Sequence, residues 1–153
     1  MDIKHYIKTS FENITGYYIH KRSDLPVGVD LKYDIQHKLK KIHIDTIFDV
    51  GANLGQTAIK FTNDFPEANI YSFEPISGTY NKLVSNTKDY PKVVCNNFAL
   101  GNEAGTTEIA VFDEKDSGLN SLVSSNMNKD ANSKKETIKI STIDDFMATN
   151  KLQ

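Results

Sequence analysis

Two carboxylates, Asp49 and Glu74, stand 25 residues apart, and each closes a short apolar run: Thr46-Ile47-Phe48-Asp49-Val50 and Tyr71-Ser72-Phe73-Glu74-Pro75. Between them lies Gly51-Ala52-Asn53-Leu54-Gly55-Gln56, a glycine turn followed by a helical pattern. Apolar run, glycine turn, helix, apolar run and acid is the opening of an open α/β sheet, and ligands of such sheets sit at the carboxyl ends of the strands. Asp49, Gly51, Asn53, Gly55 and Glu74 are all expected at that edge. There they form a pocket suited to a nucleoside.

The charges narrow the ligand. A dinucleotide turn is usually G-x-G-x-x-G, with backbone amides and a helix N-terminus facing the pyrophosphate. Here Asn53 and Gln56 stand where the second and third glycines would fall, and Asp49 would repel a phosphate. A cationic ligand without phosphate is attracted instead, and S-adenosyl-L-methionine, with its sulfonium and ammonium groups, is such a ligand. Pro75 disfavours helical backbone at Glu74, which suits a carboxylate accepting hydrogen bonds from both ribose hydroxyls. Two plainer readings stand beside this one: Asp49 caps the helix that begins near Leu54, and the glycines serve only a tight strand-to-helix connection. Gly51→Val is expected to do more damage than Gly55→Ala, by blocking both the turn and the ligand's approach.

Composition sets the frame. A chain of 153 residues with 39% apolar and 25% charged residues is long enough for one domain with a sizeable core. The net charge of −2, with Arg22 the single arginine, makes nucleic acid an unexpected partner. Lys38, Lys40 and Lys41 are read as the last turn of a helix, where cations complement the dipole. No apolar stretch approaches the roughly 18 residues that cross a bilayer, and Met1-Asp2-Ile3-Lys4-His5 lacks a signal-peptide core. The expectation is therefore no membrane partner and a cytoplasmic location. Cys95, the single cysteine, reads as a small core residue, and the four scattered histidines lack metal-ligand spacing, so no metal site is expected.

The positioning elements follow from periodicity. Ile3, Tyr6, Ile7, Phe11 and Ile14 predict a helix ending at Gly16, and Leu31, Ile35, Leu39 and Ile42 predict a second one capped by Asp30. Strands are expected at 46–50, 69–73 and 92–96, with helices carrying Leu54, Ala58, Phe61 and Phe65, and then Tyr80, Leu83 and Val84. After Gly101 the pattern becomes strand-strand: Thr107, Ile109 and Val111, then Ile138 and Ile140, predict an antiparallel pair. Residues 113–136 between them read as a long polar loop, functional or disordered. Thr142 is expected to cap a last helix. One domain thus divides into a helical lead-in (1–44), a βαβαβ cofactor-binding core (45–101), and antiparallel strands with the loop (102–153).

Phe48-Asp49-Val50-Gly51-Ala52-Asn53-Leu54-Gly55, Phe73-Glu74-Pro75, Asn97-Phe98-Ala99-Leu100-Gly101, Asn120-Ser121-Leu122 and Ser141-Thr142-Ile143-Asp144-Asp145-Phe146 together resemble the FkbM family of S-adenosylmethionine-dependent methyltransferases. The resemblance covers roughly residues 25 to 150. It implies an α/β, Rossmann-like class I methyltransferase sheet, of which this chain carries the first three parallel strands and an added antiparallel pair. It implies that Gly51, Asn53 and Gly55 wrap the methionine moiety, that Asp49 neighbours the cofactor's charged end, and that Glu74 holds the ribose. Asn97 and the backbone from Phe98 to Ala99 would border adenine, and Ser121 would face the transfer site or merely pack. The acceptor implied is a small molecule, the hydroxyl of a sugar or natural product, and no residue here is identified as the catalytic base. The family sheet runs 3-2-1-4-5-7-6, and its next segment, a lysine-aspartate-glutamate-glycine motif on strand four, would begin just after Gln153. The chain is therefore expected to be truncated before strand four, leaving on the first strand an open edge through which it self-associates, the alternative being that the antiparallel pair near residues 105 to 112 and 137 to 141 folds over to protect that edge. The rival readings are a non-catalytic domain binding an adenosyl ligand or a partner chain, and an NAD-dependent oxidoreductase.

Overall fold

The computed structural model describes residues 3–38, 42–111 and 134–152. The chain forms two compact units, Met1–His43 and Ile44–Gln153. In the first, α1 (Ile3–Thr15) ends at Gly16, whose amide donates to the carbonyl of Glu12 at 2.9 Å in a left-handed cap. A short helix α2 (Leu31–Tyr33) begins at Asp30, whose side chain accepts from the Tyr33 amide, and widens into a π-helical turn over Asp34–Lys38. Asp34 causes that geometry to hold together: its buried carboxylate accepts from the Gly28 amide at 2.7 Å and pairs with Lys38 at 2.9 Å. Those two contacts hold its carboxyl below the usual range. Of the amphipathic helix expected from Leu31 to Ile42, residues 31–38 are helical with a π-helical second half and Ile42 is not helical, while Leu39, Lys40 and Lys41 lie outside the described residues.

The second unit carries the sheet. Strands β1 (Thr46–Val50), β2 (Asn69–Phe73) and β3 (Val93–Asn96) are parallel in the order β1-β2-β3, with Asp49 opposite Ser72 and Ser72 opposite Cys95. Helices α3 (Gln56–Asp64) and α4 (Ser77–Thr87) make the connections. Alternation then separates two faces. Ile47, Asp49, Ile70, Ser72 and Cys95 point toward α3 and α4, as the contact of the Thr87 hydroxyl with Cys95 Sγ (3.3 Å) shows. Phe48, Tyr71 and Phe73 point the other way, onto α5 (Ile143–Asn150), where Phe146 meets all three rings and Phe98 at centroid distances of 4.9–6.0 Å.

Thr142 caps α5 as the sequence predicts, its hydroxyl accepting from the Asp145 amide at 3.0 Å. The antiparallel pair is also present: β5 (Gly105–Val111) runs against β6 (Lys134–Ser141), with Ile109 opposite Glu136. A two-residue strand β4 (Ala99–Leu100) adds in parallel to the other side of β6. Residues 134–136, read as loop from the sequence, are strand because β5 supplies their partners through Val111. The rest of that loop, including Asn120, Ser121 and Leu122, lies outside the described residues. Ile109 and Ile138 bury together with Ala99 and Ile76, so the second sheet's core takes in the residue that follows Glu74-Pro75.

Candidate functional site

All six residues singled out by sequence, Asp49, Gly51, Asn53, Gly55, Glu74 and Asn97, lie at or just beyond the carboxyl ends of β1, β2 and β3. The turn that joins β1 to α3 is built on three left-handed residues, Gly51 (φ +77°), Asn53 (φ +50°) and Gly55 (φ +91°). The amides of Gly51 and Ala52 both donate to the Phe73 carbonyl at 3.0 Å, which ties the turn to the end of β2. Gly55 is the residue before α3, and its positive φ lets the helix start at Gln56 rather than near Leu54. A Cβ at Gly55 would lie 2.9 Å from both Leu83 Cδ1 and Thr87 Cγ2, whereas one at Gly51 would meet nothing within 4 Å. Protein packing therefore crowds Gly55, where α3 and α4 close on each other, and leaves the space beside Gly51 open.

Glu74 is buried, and it spans the site. One oxygen accepts from the Asn53 amide at 3.1 Å and the other from the Ile76 amide at 3.0 Å. A carboxylate has about four acceptor positions, so these two bonds orient it and leave acceptor capacity. Burial holds its carboxyl above the usual range, the two amide bonds oppose that, and the nearby Glu136 carboxylate adds to it. Asn97 donates its side-chain NH2 to the carbonyls of Glu74 (2.9 Å) and Pro75 (3.0 Å). It is the brace under the Glu74 backbone.

Asp49 is buried beneath the turn. Burial raises its carboxyl above the usual range, while the Ser72 hydroxyl and the backbone amide of Ala58, in the first turn of α3, pull the other way. Asp49 Oδ2 is buried without a hydrogen-bond partner, and so are Asn53 Oδ1 and Ser72 Oγ. Ser72 faces Asp49 closely enough to influence it, without completing a hydrogen bond of normal geometry. These are the three such atoms among the described residues, and all three belong to one corner of the sheet. An unpaired buried polar atom costs about 1–3 kcal/mol, so their convergence here is unlike ordinary packing.

Sequence reasoning passed over Ser72 and Glu136. The first had a signal, a polar residue between two aromatic ones in a central strand, in line with Asp49. Glu136 had none, because β6 brings it from 62 residues away in the chain. On the opposite face of the sheet a groove of about 390 Å³ runs beside α5, lined among others by Phe98, Phe146, Lys139 and Asp145. It contains none of the six residues. Among the described residues, no cluster of histidine, cysteine, aspartate and glutamate is arranged to hold a metal, and no helix is long and apolar enough to cross a membrane.

A parallel sheet with helices on both faces, and a glycine turn tied to an acid at the end of the next strand, define a Rossmann-like α/β domain. Residues 49–153 match the family model described as the methyltransferase FkbM domain, and the chain belongs to that family. Among solved structures it is similar to an FkbM methyltransferase from Methylobacillus flagellatus KT, at 11% identity and a TM-score of 0.42, over 74% of this chain. The chain spans 26% of the length of that protein. No curated protein matches it.

Proposed function

We propose that this chain carries the S-adenosyl-L-methionine site of a methyltransferase that acts on a hydroxyl of a small molecule, of the sugar or natural-product class. The observation that carries the reading is the set of buried, unpartnered polar atoms at Asp49, Asn53 and Ser72. Asp49 Oδ2 and Asn53 Oδ1 are acceptors and Ser72 Oγ is either donor or acceptor, which fits a ligand bearing an ammonium group and does not fit a phosphate. Asp49 and Asn53 would hold the amino-acid end of the cofactor, and Glu74, oriented by the Asn53 and Ile76 amides, would accept from the ribose hydroxyls. When bound, the cofactor supplies an electrophilic methyl group on a sulfonium.

The turn's own chemistry supports the same reading. In-line methyl transfer asks mainly for positioning, and the turn is fixed at both ends, by the Phe73 carbonyl and by Glu74. Family membership supports a methyltransferase, and the acceptor class comes from the FkbM resemblance. Calorimetric titration of the chain with S-adenosylhomocysteine and, separately, with NAD tests the site. Binding of the first and not of the second is the expected result. Binding of NAD alone would overturn the reading, and so would failure of both to bind.

A further inference from the structure

Glu74 sits on a short segment, Glu74-Pro75-Ile76, between the end of β2 and the start of α4. Two of its fixings are local: the Ile76 amide bond and the brace from Asn97. A third comes from the other sheet. Glu136, on β6, accepts through one oxygen from both the amide and the hydroxyl of Ser77, at 2.8 and 2.6 Å, and so takes up the first orphan donor of α4. Glu136 shares its side of β6 with Ile138, whose side chain buries against Ile76. The same strand therefore grips both residues that follow Pro75, one by packing and one by a charge-assisted hydrogen bond.

We infer that Glu136 is a positioning residue for Glu74: by holding Ser77 and the start of α4, it fixes the segment on which Glu74 reaches across to the Asn53 amide. The Glu136 carboxylate also adds, after burial and the two amide bonds, a raising influence on the Glu74 carboxyl. Glu136 itself needs no contact with a ligand. Its effect passes through the Ile76-Ser77 backbone, and the β5–β6 pair becomes part of the site's framework rather than an appendage. The consequence for ligand affinity rests on the adenosyl reading given above, while the effect on Glu74 itself does not.

The test uses the full chain carrying Glu136→Ala, Glu136→Gln or, as a control on the same strand, Lys135→Ala. The first readout is amide hydrogen exchange at Asn53 without ligand, because Asn53 donates to Glu74 and not to Glu136. Exchange there is expected to be at least about tenfold faster in Glu136→Ala, and within about threefold of the parent in Glu136→Gln, which keeps an acceptor for Ser77, and in Lys135→Ala. The second readout is S-adenosylhomocysteine titration, where Glu136→Ala is expected to weaken binding at least about fivefold and Glu136→Gln to restore most of it. Unchanged exchange at Asn53 in Glu136→Ala, or an equal change in Lys135→Ala, overturns the inference. A parent chain that binds no S-adenosylhomocysteine, with the Asn53 effect intact, overturns the adenosyl reading and supports the positioning role. Should Glu136→Ala fail to fold, Ser77→Ala carries the test, since it deletes only the hydroxyl bond: about threefold faster exchange at Asn53 supports the role, and no change overturns it.

Discussion

Alanine at Gly55 should destabilise the protein far more than alanine at Gly51, although both glycines belong to one turn and both have positive φ (+91° and +77°). The left-handed conformation costs an alanine roughly 1–2 kcal/mol at either site, and either substitution recovers about 0.4–1 kcal/mol by narrowing the unfolded ensemble. These contributions cancel in the comparison. What remains is the new methyl group, which at Gly55 would stand 2.9 Å from Leu83 Cδ1 and 2.9 Å from Thr87 Cγ2, and at Gly51 would touch nothing within 4 Å. The two neighbours have little room to yield. Leu83 is fully buried, and Thr87 is β-branched, with its hydroxyl donated to the Leu83 carbonyl at 2.8 Å. Overpacking of this kind costs about 1–3 kcal/mol, so Gly55→Ala should be about 2 kcal/mol less stable than Gly51→Ala. With a urea slope near 2 kcal/mol per molar, that is a midpoint lower by about 1 M. Midpoints that agree within about 0.2 M, at equal slopes, would refute the steric argument and move the critical contact back to the open side of the turn.

Asp49→Asn tests the buried carboxylate. Because the folded pKa is raised above 3.8, Asp49 favours folding fully below that pH and loses the contribution as pH rises through its folded value; thermal melts should therefore show the variant gaining on the parent from about pH 4 to about pH 7, and a gap that does not widen sinks the assignment. Glu74→Ala should weaken S-adenosylhomocysteine binding by more than about 1 kcal/mol in calorimetry, and unchanged affinity would remove Glu74 from the ribose. Phe146→Ala should cost about 3–5 kcal/mol in urea denaturation, since its ring is shared among Phe48, Tyr71, Phe73 and Phe98, whereas Thr142→Ala, which loses only the helix cap, should cost about 1 kcal/mol. Equal costs would mean that α5 is held by its cap and not by the aromatic cluster.

Local chemistry is what a sequence displays, and here it displayed much of the site. Short apolar runs placed β1 and β2, alternation placed β5 and most of β6, and Thr142 announced α5, because such patterns and capping act over a few residues. The glycine turn between two acids put Asp49, Asn53 and Glu74 at one edge of the sheet, since parallel strands joined by helices leave their carboxyl ends together. The π-helical turn at Asp34–Lys38 was hidden, because it depends on the Gly28 amide reaching a carboxylate six residues away. The start of β6 was hidden too: Lys134, Lys135 and Glu136 read as polar loop, and only their pairing with β5 makes them strand. Tertiary structure alone decided that Gly55, not Gly51, is the crowded glycine, that Asn97 braces the Glu74 backbone, and that Glu136 holds the helix after it. Each of these depends on the distance between atoms far apart in the chain, which is set by how helices and sheets pack and leaves no mark on residue spacing.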